Sequence, residues 1–339
     1  MTKLTVATLV LAGVTMQAQS GAPAQAPVIV TPDNFNRAET GTIYADGVKS
    51  HGLGRFEHHR EPIAIDFPIV RPNRDTLYSL AVFDLDAGPL TITLPDAGRR
   101  FMSLQVIDED HYTPNVFYGA GAHTFEKDQI GTRYISIGVR ILVDPENPRD
   151  LQQVHALQDA ITISQPRGPG RFEIPRWDQA SQKKVRDALL ALAETLPDTK
   201  RTFGARGEVD PVRHLIGTAF AFGGNPEKDA LYLNVTPARN DGTTIHRLSV
   251  KDVPIDAFWS ISVYNAEGHF QKNTLNAYTL NNMMARTGAD GSVTVQFGGC
   301  DGGMSNCLPI MKGWNYMVRL YRPRAEVLSG RWTFPPAKP

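Results

Sequence analysis

The sequence predicts a mainly β protein of the α+β class, in which two β-rich lobes are joined by a helical segment. Three observations lead to this prediction. Alternating or β-branched runs separated by tight turns fill residues 68–143. Amphipathic helical patterns occupy residues 151–223, and strand patterns return over residues 231–321. Short strands at this spacing are typical of an antiparallel sandwich or barrel.

The N-terminal elements follow from local signals. Thr31 before Pro32 predicts the start of a short helix, and Asp46-Gly47 predicts its end near residue 45. Turn signals then separate the predicted strands, which cover residues 76–83, 90–94, 101–107 and 132–143.

The remaining elements complete the pattern. Helices are predicted over residues 151–161, capped by Asp150, over 178–196, and from Asp210-Pro211 onward. Strands are predicted at 231–235, 244–250, 257–264, 292–297 and 316–321. We therefore divide the chain into a signal peptide (1–20), a leader (21–30), an N-terminal β-rich domain (31–145), a helical segment (146–225) and a C-terminal β-sandwich domain (226–339).

The first residues have the pattern of a secretory signal peptide. Lys3 precedes an apolar run at residues 4–14, and small and polar residues follow, so we predict cleavage near Ser20. The apolar run is shorter than the roughly 20 residues that cross a bilayer. We expect a periplasmic or secreted protein of the cell envelope that does not span the membrane.

The only two cysteines, Cys300 and Cys307, lie in a loop of turn-forming residues. In an oxidising compartment such a pair predicts a disulfide, with two free thiols as the alternative. Two thiolates would need further soft ligands to bind a metal, and the segment has none, so we predict no metal site.

The charge balance excludes some partners. The chain has 35 basic and 35 acidic residues, and loss of Lys3 with the signal leaves 34 basic residues. A near-neutral protein is not expected to bind nucleic acid. The sequence also lacks the common nucleotide-binding, zinc-protease and hydrolase motifs, so no cofactor is predicted.

The densest polar cluster runs from residue 51 to residue 78. If residues 56–60 are extended, Glu57 and His59 lie on one side and His58 and Arg60 on the other. A histidine beside a carboxylate can act as a general base, so His58 or His59 is the candidate base, with Glu57 or Asp75 as its orienting partner. The alternative is a solvated loop.

Further polar residues are candidates for ligand binding. Arginines can hold an anionic group through their planar fork, although those near Asp75 can also brace a turn. Trp259 can shape the site or belong to the core, and Asn276 with Tyr278 can line a cleft or close a turn. The complete set of ligand-binding candidates is Arg37, Arg60, Arg71, Asn73, Arg74, Tyr78, Trp259, Asn276 and Tyr278.

The same segments carry a family resemblance. The runs at residues 37–40, 56–62 and 70–79 resemble the domain-of-unknown-function family 1254, and those at 256–268, 276–278, 290–295 and 318–324 resemble its usual companion, family 1214. The resemblance implies jelly-roll-like β-sandwich lobes in an exported bacterial protein. It implies no established reaction.

Three functions are compatible with these observations. The first is a periplasmic protein that binds a small polar or anionic molecule in a cleft between or at the rim of its β lobes. The second is a hydrolase or lyase that acts on an envelope glycan, ester or lipid. The third is a structural or assembly role, in which β lobes pair through exposed edges to form a homo-oligomer.

Overall fold

A computed structural model describes residues 26–301 and 303–339. The signal peptide predicted at residues 1–20 lies outside this part of the chain. The described residues form six α-helices and fifteen strands, mostly in antiparallel pairs, so the protein is mainly β with few helices. The helices are α1 (Phe35–His51), α2 (Lys127–Ile130), α3 (Pro148–Asp159), α4 (Gln179–Ala193), α5 (Pro211–Phe220) and α6 (Ala325–Leu328).

The strands lie before α3 and after α5, apart from one that follows α3. The first group is β1 (Glu57–His58), β2 (Thr76–Asp84), β3 (Leu90–Leu94), β4 (Met102–Asp108), β5 (Val116–Tyr118), β6 (Gly121–Phe125), β7 (Tyr134–Leu142) and β8 (Thr162–Ser164). The second group is β9 (Ala230–Val235), β10 (His246–Val250), β11 (Trp259–Tyr264), β12 (Thr279–Asn281), β13 (Val293–Phe297), β14 (Cys307–Leu308) and β15 (Asn315–Tyr321).

The N-terminal strands form two sheets around one hydrophobic core. A five-stranded sheet has the order β1-β2-β7-β4-β5, and a three-stranded sheet has the order β6-β3-β8. Leu77, Ile92 and Leu104 come from both sheets and share this core. Burying one face of each sheet in this way is the main stabilising contribution, at about 25 cal/mol per Å² of apolar surface.

The C-terminal strands repeat the arrangement. A four-stranded sheet has the order β12-β11-β15-β9, and a three-stranded sheet has the order β10-β13-β14, in which β13 and β14 are parallel. Ile261, Val295 and Leu320 belong to one buried core that both sheets supply.

Several helix boundaries differ from the sequence prediction, and α1 begins at Phe35, after the N-cap Asn34, instead of at Pro32. Helix α1 continues past Asp46-Gly47 to His51, because Tyr44 and Val48 pack beside β2 and extend the buried face. Gly52, with φ of 92°, ends this helix. Helix α3 begins at Pro148, and its N-cap is Asn147, whose side chain accepts from two backbone N–H groups.

One further prediction is confirmed. Cys300 and Cys307 form the predicted disulfide. Among the described residues, no helix has both the length and the apolar character that a membrane span requires.

Candidate functional site

The second face of each central sheet is polar, and the two polar faces contact each other. In β15, Leu320 lies in the C-terminal core, whereas Arg319 and Tyr321 lie on the other face, since side chains alternate along a strand. Asn73, just before β2, donates from Nδ2 to the hydroxyls of Tyr78 (3.0 Å) and Tyr321 (3.2 Å). We call this contact between the β2-β7-β4 face and the β11-β15-β9 face the seam.

Asp75 is fully buried in the seam. Its Oδ2 accepts from Ser260 Oγ at 2.6 Å, and its Oδ1 accepts from Thr279 Oγ1 at 3.0 Å. Burial raises the pKa of this carboxyl, since desolvation penalises the charged form. Both of these side-chain partners belong to the C-terminal four-stranded sheet. The structure does not bring Asp75 to the predicted bases, His58 and His59.

Arg319 fixes the turn that precedes β2. Its side chain is buried, and its Nη2 donates to Tyr264 OH at 2.7 Å and to the carbonyl oxygen of Arg71 at 3.0 Å. Arg71 has a left-handed backbone (φ 54°), and its own Nη1 donates to Asn315 Oδ1 at 2.7 Å. Burial lowers the pKa of Arg71. Arg319 is not among the predicted site residues, because it reaches this turn only through the tertiary fold.

A cavity of about 210 Å³ opens next to the seam, and we call it the Arg74 cavity. Arg74, Asn276 and Tyr278 line it, so three of the predicted ligand-binding residues come together here. Glu146 also lines it, from the loop before α3, with Oε1 3.8 Å from Arg74 Nη2 and Oε2 accepting from Asn276 Nδ2 at 2.7 Å. The N-terminal and C-terminal regions therefore both supply polar groups to this cavity.

The Arg74 guanidinium is largely buried, with a side chain 10% exposed. Its Nη1 donates to the carbonyl oxygen of Ile63, and its Cζ lies 5.8 Å from the centre of the Tyr278 ring. Burial lowers the pKa of Arg74, against the opposing effect of Glu146. Arginine has five N–H donors. In the described part of the chain, the bond to Ile63 occupies one donor of Arg74, and Glu146 lies beyond ordinary hydrogen-bond distance.

Much of the remaining lining of the Arg74 cavity is apolar. Leu275, Met284, Met304 and Leu308 line it, together with the disulfide-bonded Cys307. Such a lining suits the carbon skeleton of a ligand, because methionine side chains adapt to irregular shapes. An apolar lining with a few polar groups is typical of a small-molecule site.

The histidine cluster lies elsewhere. His58 Nδ1 lies 2.8 Å from Ser79 Oγ, and burial lowers the pKa of His58. Glu57 Oε2 lies 2.9 Å from His51 Nδ1 and 4.0 Å from His59 Nε2. The predicted side of each residue is confirmed, but His51 is the nearer partner of the carboxylate. The Arg74 cavity is lined by other residues.

Two of the candidate arginines already bind carboxylates of the protein. Arg37 donates from Nε and Nη2 to the two oxygens of Asp110, each at 2.8 Å. Arg60 forms an ion pair with Asp159 and donates from Nη1 to the carbonyl oxygen of His155 at 3.1 Å. These contacts fix α1 and α3 against the sheets.

Trp259 is buried in the C-terminal core, where its ring centre lies 5.7 Å from that of Phe334. It also lines a second cavity, of about 310 Å³, together with Lys251 and Asn282. The structure therefore separates Trp259 from Arg74, Asn276 and Tyr278.

Two family models match the chain, one in each half. Residues 53–129 match the model described as "Protein of unknown function (DUF1254)". Residues 233–325 match the model described as "Protein of unknown function (DUF1214)". No curated protein matches the sequence.

Two solved structures are similar to the chain. The VPA0106 protein from Vibrio parahaemolyticus is 17% identical, with a TM-score of 0.71 over 91% of this chain and 97% of that chain. An uncharacterized protein from Burkholderia cenocepacia is 12% identical, with a TM-score of 0.50 over 90% of this chain and 87% of that chain. At these identities the likeness shows a common fold. With the two family matches in their expected order, the chain belongs to the DUF1254 family in its N-terminal part and to the DUF1214 family in its C-terminal part.

Proposed function

We propose that this is an exported binding protein for a small molecule with an anionic group, which it holds in the Arg74 cavity. The observation that carries the proposal is a largely buried guanidinium, incompletely hydrogen-bonded within the described residues, in a cavity whose other lining residues are largely apolar. The proposal requires binding only, and no chemical step.

An anionic group on the ligand follows from the electrostatics of Arg74. A buried charge is costly unless it is paired and hydrogen-bonded. Glu146, at 3.8 Å, is close enough for attraction but longer than a charge-assisted hydrogen bond, for which 2.7–2.9 Å is usual. A ligand carboxylate or phosphate could approach to that shorter distance and satisfy donors that the protein leaves open.

The size of the cavity limits the ligand. Its volume of about 210 Å³ is smaller than most drug-sized pockets, which measure roughly 300–1,000 Å³. The apolar lining at Met284 and Met304 then accommodates a short hydrocarbon portion. We therefore expect a compact organic acid or phosphate ester and not a polymer chain.

The proposal includes a cellular setting and a finer architecture. Each pair of sheets would form a jelly-roll-like sandwich lobe, and the cavity would lie where the rims of the lobes meet. The Cys300–Cys307 disulfide and the apolar N-terminal segment support export to the periplasm or the medium, where such a bridge persists.

A thermal-shift screen of small mono- and dicarboxylates and phosphate esters tests the proposal. We expect a compound that raises the Tm saturably, because a ligand that binds only the folded state stabilises it. Arg74→Gln should weaken its binding by about tenfold or more, since charge-assisted hydrogen bonds contribute about 1.5–3 kcal/mol.

Arg324→Gln is the matched control for loss of one arginine charge. Arg324 lies on the surface, where its Nε donates to Asp256 at 2.7 Å, and its loss should not alter binding. Equal affinity of the folded Arg74→Gln variant and the unchanged protein would place the ligand elsewhere and refute the proposal.

A further inference from the structure

Arg140, near the C-terminal end of β7, is a partly buried charge in the seam. It lies on the polar face of the five-stranded sheet, opposite Tyr78 in β2 and Ser103 in β4. Among the described residues, no carboxylate lies within 4.0 Å of its guanidinium, in contrast to the buried or half-buried ion pairs elsewhere in the chain. An arginine in such a place normally has an anionic partner.

The hydrogen bonds of Arg140 leave one edge of its guanidinium available. Nη1 donates to Gln105 Oε1 at 2.5 Å and to Asn225 Oδ1 at 3.3 Å, and Nη2 donates to the carbonyl oxygen of Gly223 at 2.9 Å. Within the described part of the chain, no well-aligned acceptor faces Nε–H or the second N–H of Nη2, although the Tyr78 hydroxyl lies close enough to interact with the guanidinium.

The same pair of nitrogens binds carboxylates elsewhere in this protein. Arg37, Arg133 and Arg186 each donate from Nε and Nη2 to a single carboxylate. This two-point geometry is the usual way in which arginine recognises carboxylate and phosphate oxygens. Arg140 thus keeps available the nitrogens that the other three use to bind an oxyanion.

Tyrosine hydroxyls surround this position. Asn73 Nδ2 donates to the hydroxyls of Tyr78 and Tyr321, and Asn225 Nδ2 donates to Tyr232 OH at 3.0 Å. Because each of these hydroxyl oxygens already accepts a hydrogen bond, its own O–H is left to donate. Burial is the largest single effect on the pKa of Tyr78 and raises it, but the charge of Arg140 and the hydrogen bonds with Thr76, Asn73 and Arg140 together outweigh burial and lower the pKa.

The sheet is open beside Arg140. Gly138 lies two residues earlier in β7, on the same face, and a Cβ added there would approach only Leu80, at 3.5 Å. Leu80 is itself 40% exposed on that face. Within 4 Å of the added Cβ the only side chain is that of Leu80, which leaves room on this face beside Arg140.

We propose that the seam contains a second binding site, separate from the Arg74 cavity, for a small oxyanion of the carboxylate or phosphate class. Arg140 supplies the charge and the two-point contact, and the hydroxyls of Tyr78, Tyr232 and Tyr321 donate to the remaining oxygens. Residues of both halves of the chain contribute, so an anion bound there also connects the two central sheets.

Isothermal titration calorimetry with sodium phosphate and, separately, sodium acetate tests the site, with ionic strength held constant by sodium chloride. We expect saturable binding of at least one anion, and the stronger binder identifies the class. Arg140→Gln should weaken it by about tenfold or more, because it removes a charge-assisted contact. Arg74→Gln should leave it unchanged, which separates this site from the proposed function.

A second variant keeps the test decisive if Arg140→Gln does not fold. Gly138→Val removes no donor and needs no unusual backbone angle, but its side chain occupies the open space beside Leu80. It should also reduce anion affinity by about tenfold or more, as expected when a bulky group blocks a two-point contact. The inference is overturned if neither anion binds the unchanged protein up to tens of millimolar, or if a folded variant at either position binds as tightly as the unchanged protein.

Discussion

At the scale of single residues, Asp108 shows how burial controls ionisation in this protein. Its Oδ1 accepts from the backbone N–H of Asp110 at 2.9 Å and of Tyr112 at 2.8 Å, which closes the loop after β4. Burial is the main cause that raises the pKa of Asp108, to about 6. Such a carboxyl is about 2 pKa units above its unfolded value of about 3.9.

We predict that Asp108→Asn stabilises the protein at pH 8 and has little effect near pH 4. A raised pKa means that the stabilising contribution of Asp108 is complete below about pH 4 and is lost as the pH rises through about 6. Asparagine keeps the acceptor oxygen without the charge, so it should gain up to about 3 kcal/mol at pH 8.

Urea unfolding at both pH values measures this difference. Asp96→Asn is the control, because Asp96 makes a similar turn contact, to Gly98 N at 2.8 Å, on the exposed surface. The account is contradicted if Asp108→Asn changes the free energy of unfolding by the same amount at pH 4 and at pH 8.

At the scale of elements, the long strands were the most predictable part of the fold. Strand β3 begins and ends at the predicted residues, and β2, β4 and β7 agree within two residues at each end. Strand β3 alternates between buried and half-buried side chains, whereas all seven residues of β4 are buried. Strand β8 was not predicted, because its three residues are exposed and are defined only by pairing with β3. The end of α1 was predicted too early, since tertiary packing outweighs a local Asp-Gly signal.

We predict that Asp75→Ala destabilises the protein by about 1–3 kcal/mol, because Ser260 loses its buried acceptor. The substitution removes the contact between the start of β2 and strands β11 and β12. Thr279 is affected less, since its hydroxyl also lies 3.2 Å from the carbonyl oxygen of Ile261. Urea unfolding at pH 7 measures the loss.

Asp256→Ala serves as the control, since its ion pair with Arg324 is exposed and such pairs contribute about 0–1 kcal/mol. Equal effects of the two substitutions would show that Asp75 does not hold the central sheets together.

At the scale of the whole molecule, the sequence identified one end of the candidate site. Arg74, Asn276 and Tyr278 were predicted from their polarity and their positions next to turns, and they meet in one cavity. Glu146, Met284 and Met304 could not be predicted, because only the tertiary fold brings their loops together. The seam around Arg140 was missed for a related reason: an arginine in a strand pattern gives no sign that its partners lie in a distant sheet.

Native mass spectrometry of the protein purified from the periplasm is the most direct test of the central claim. We predict that the unchanged protein retains a small molecule, seen as a mass above that of the denatured chain. Arg74→Gln should lose this mass, and Arg140→Gln should keep it. The same retained mass on Arg74→Gln, or the bare chain mass for the unchanged protein, would contradict the assignment of the Arg74 cavity as its ligand site.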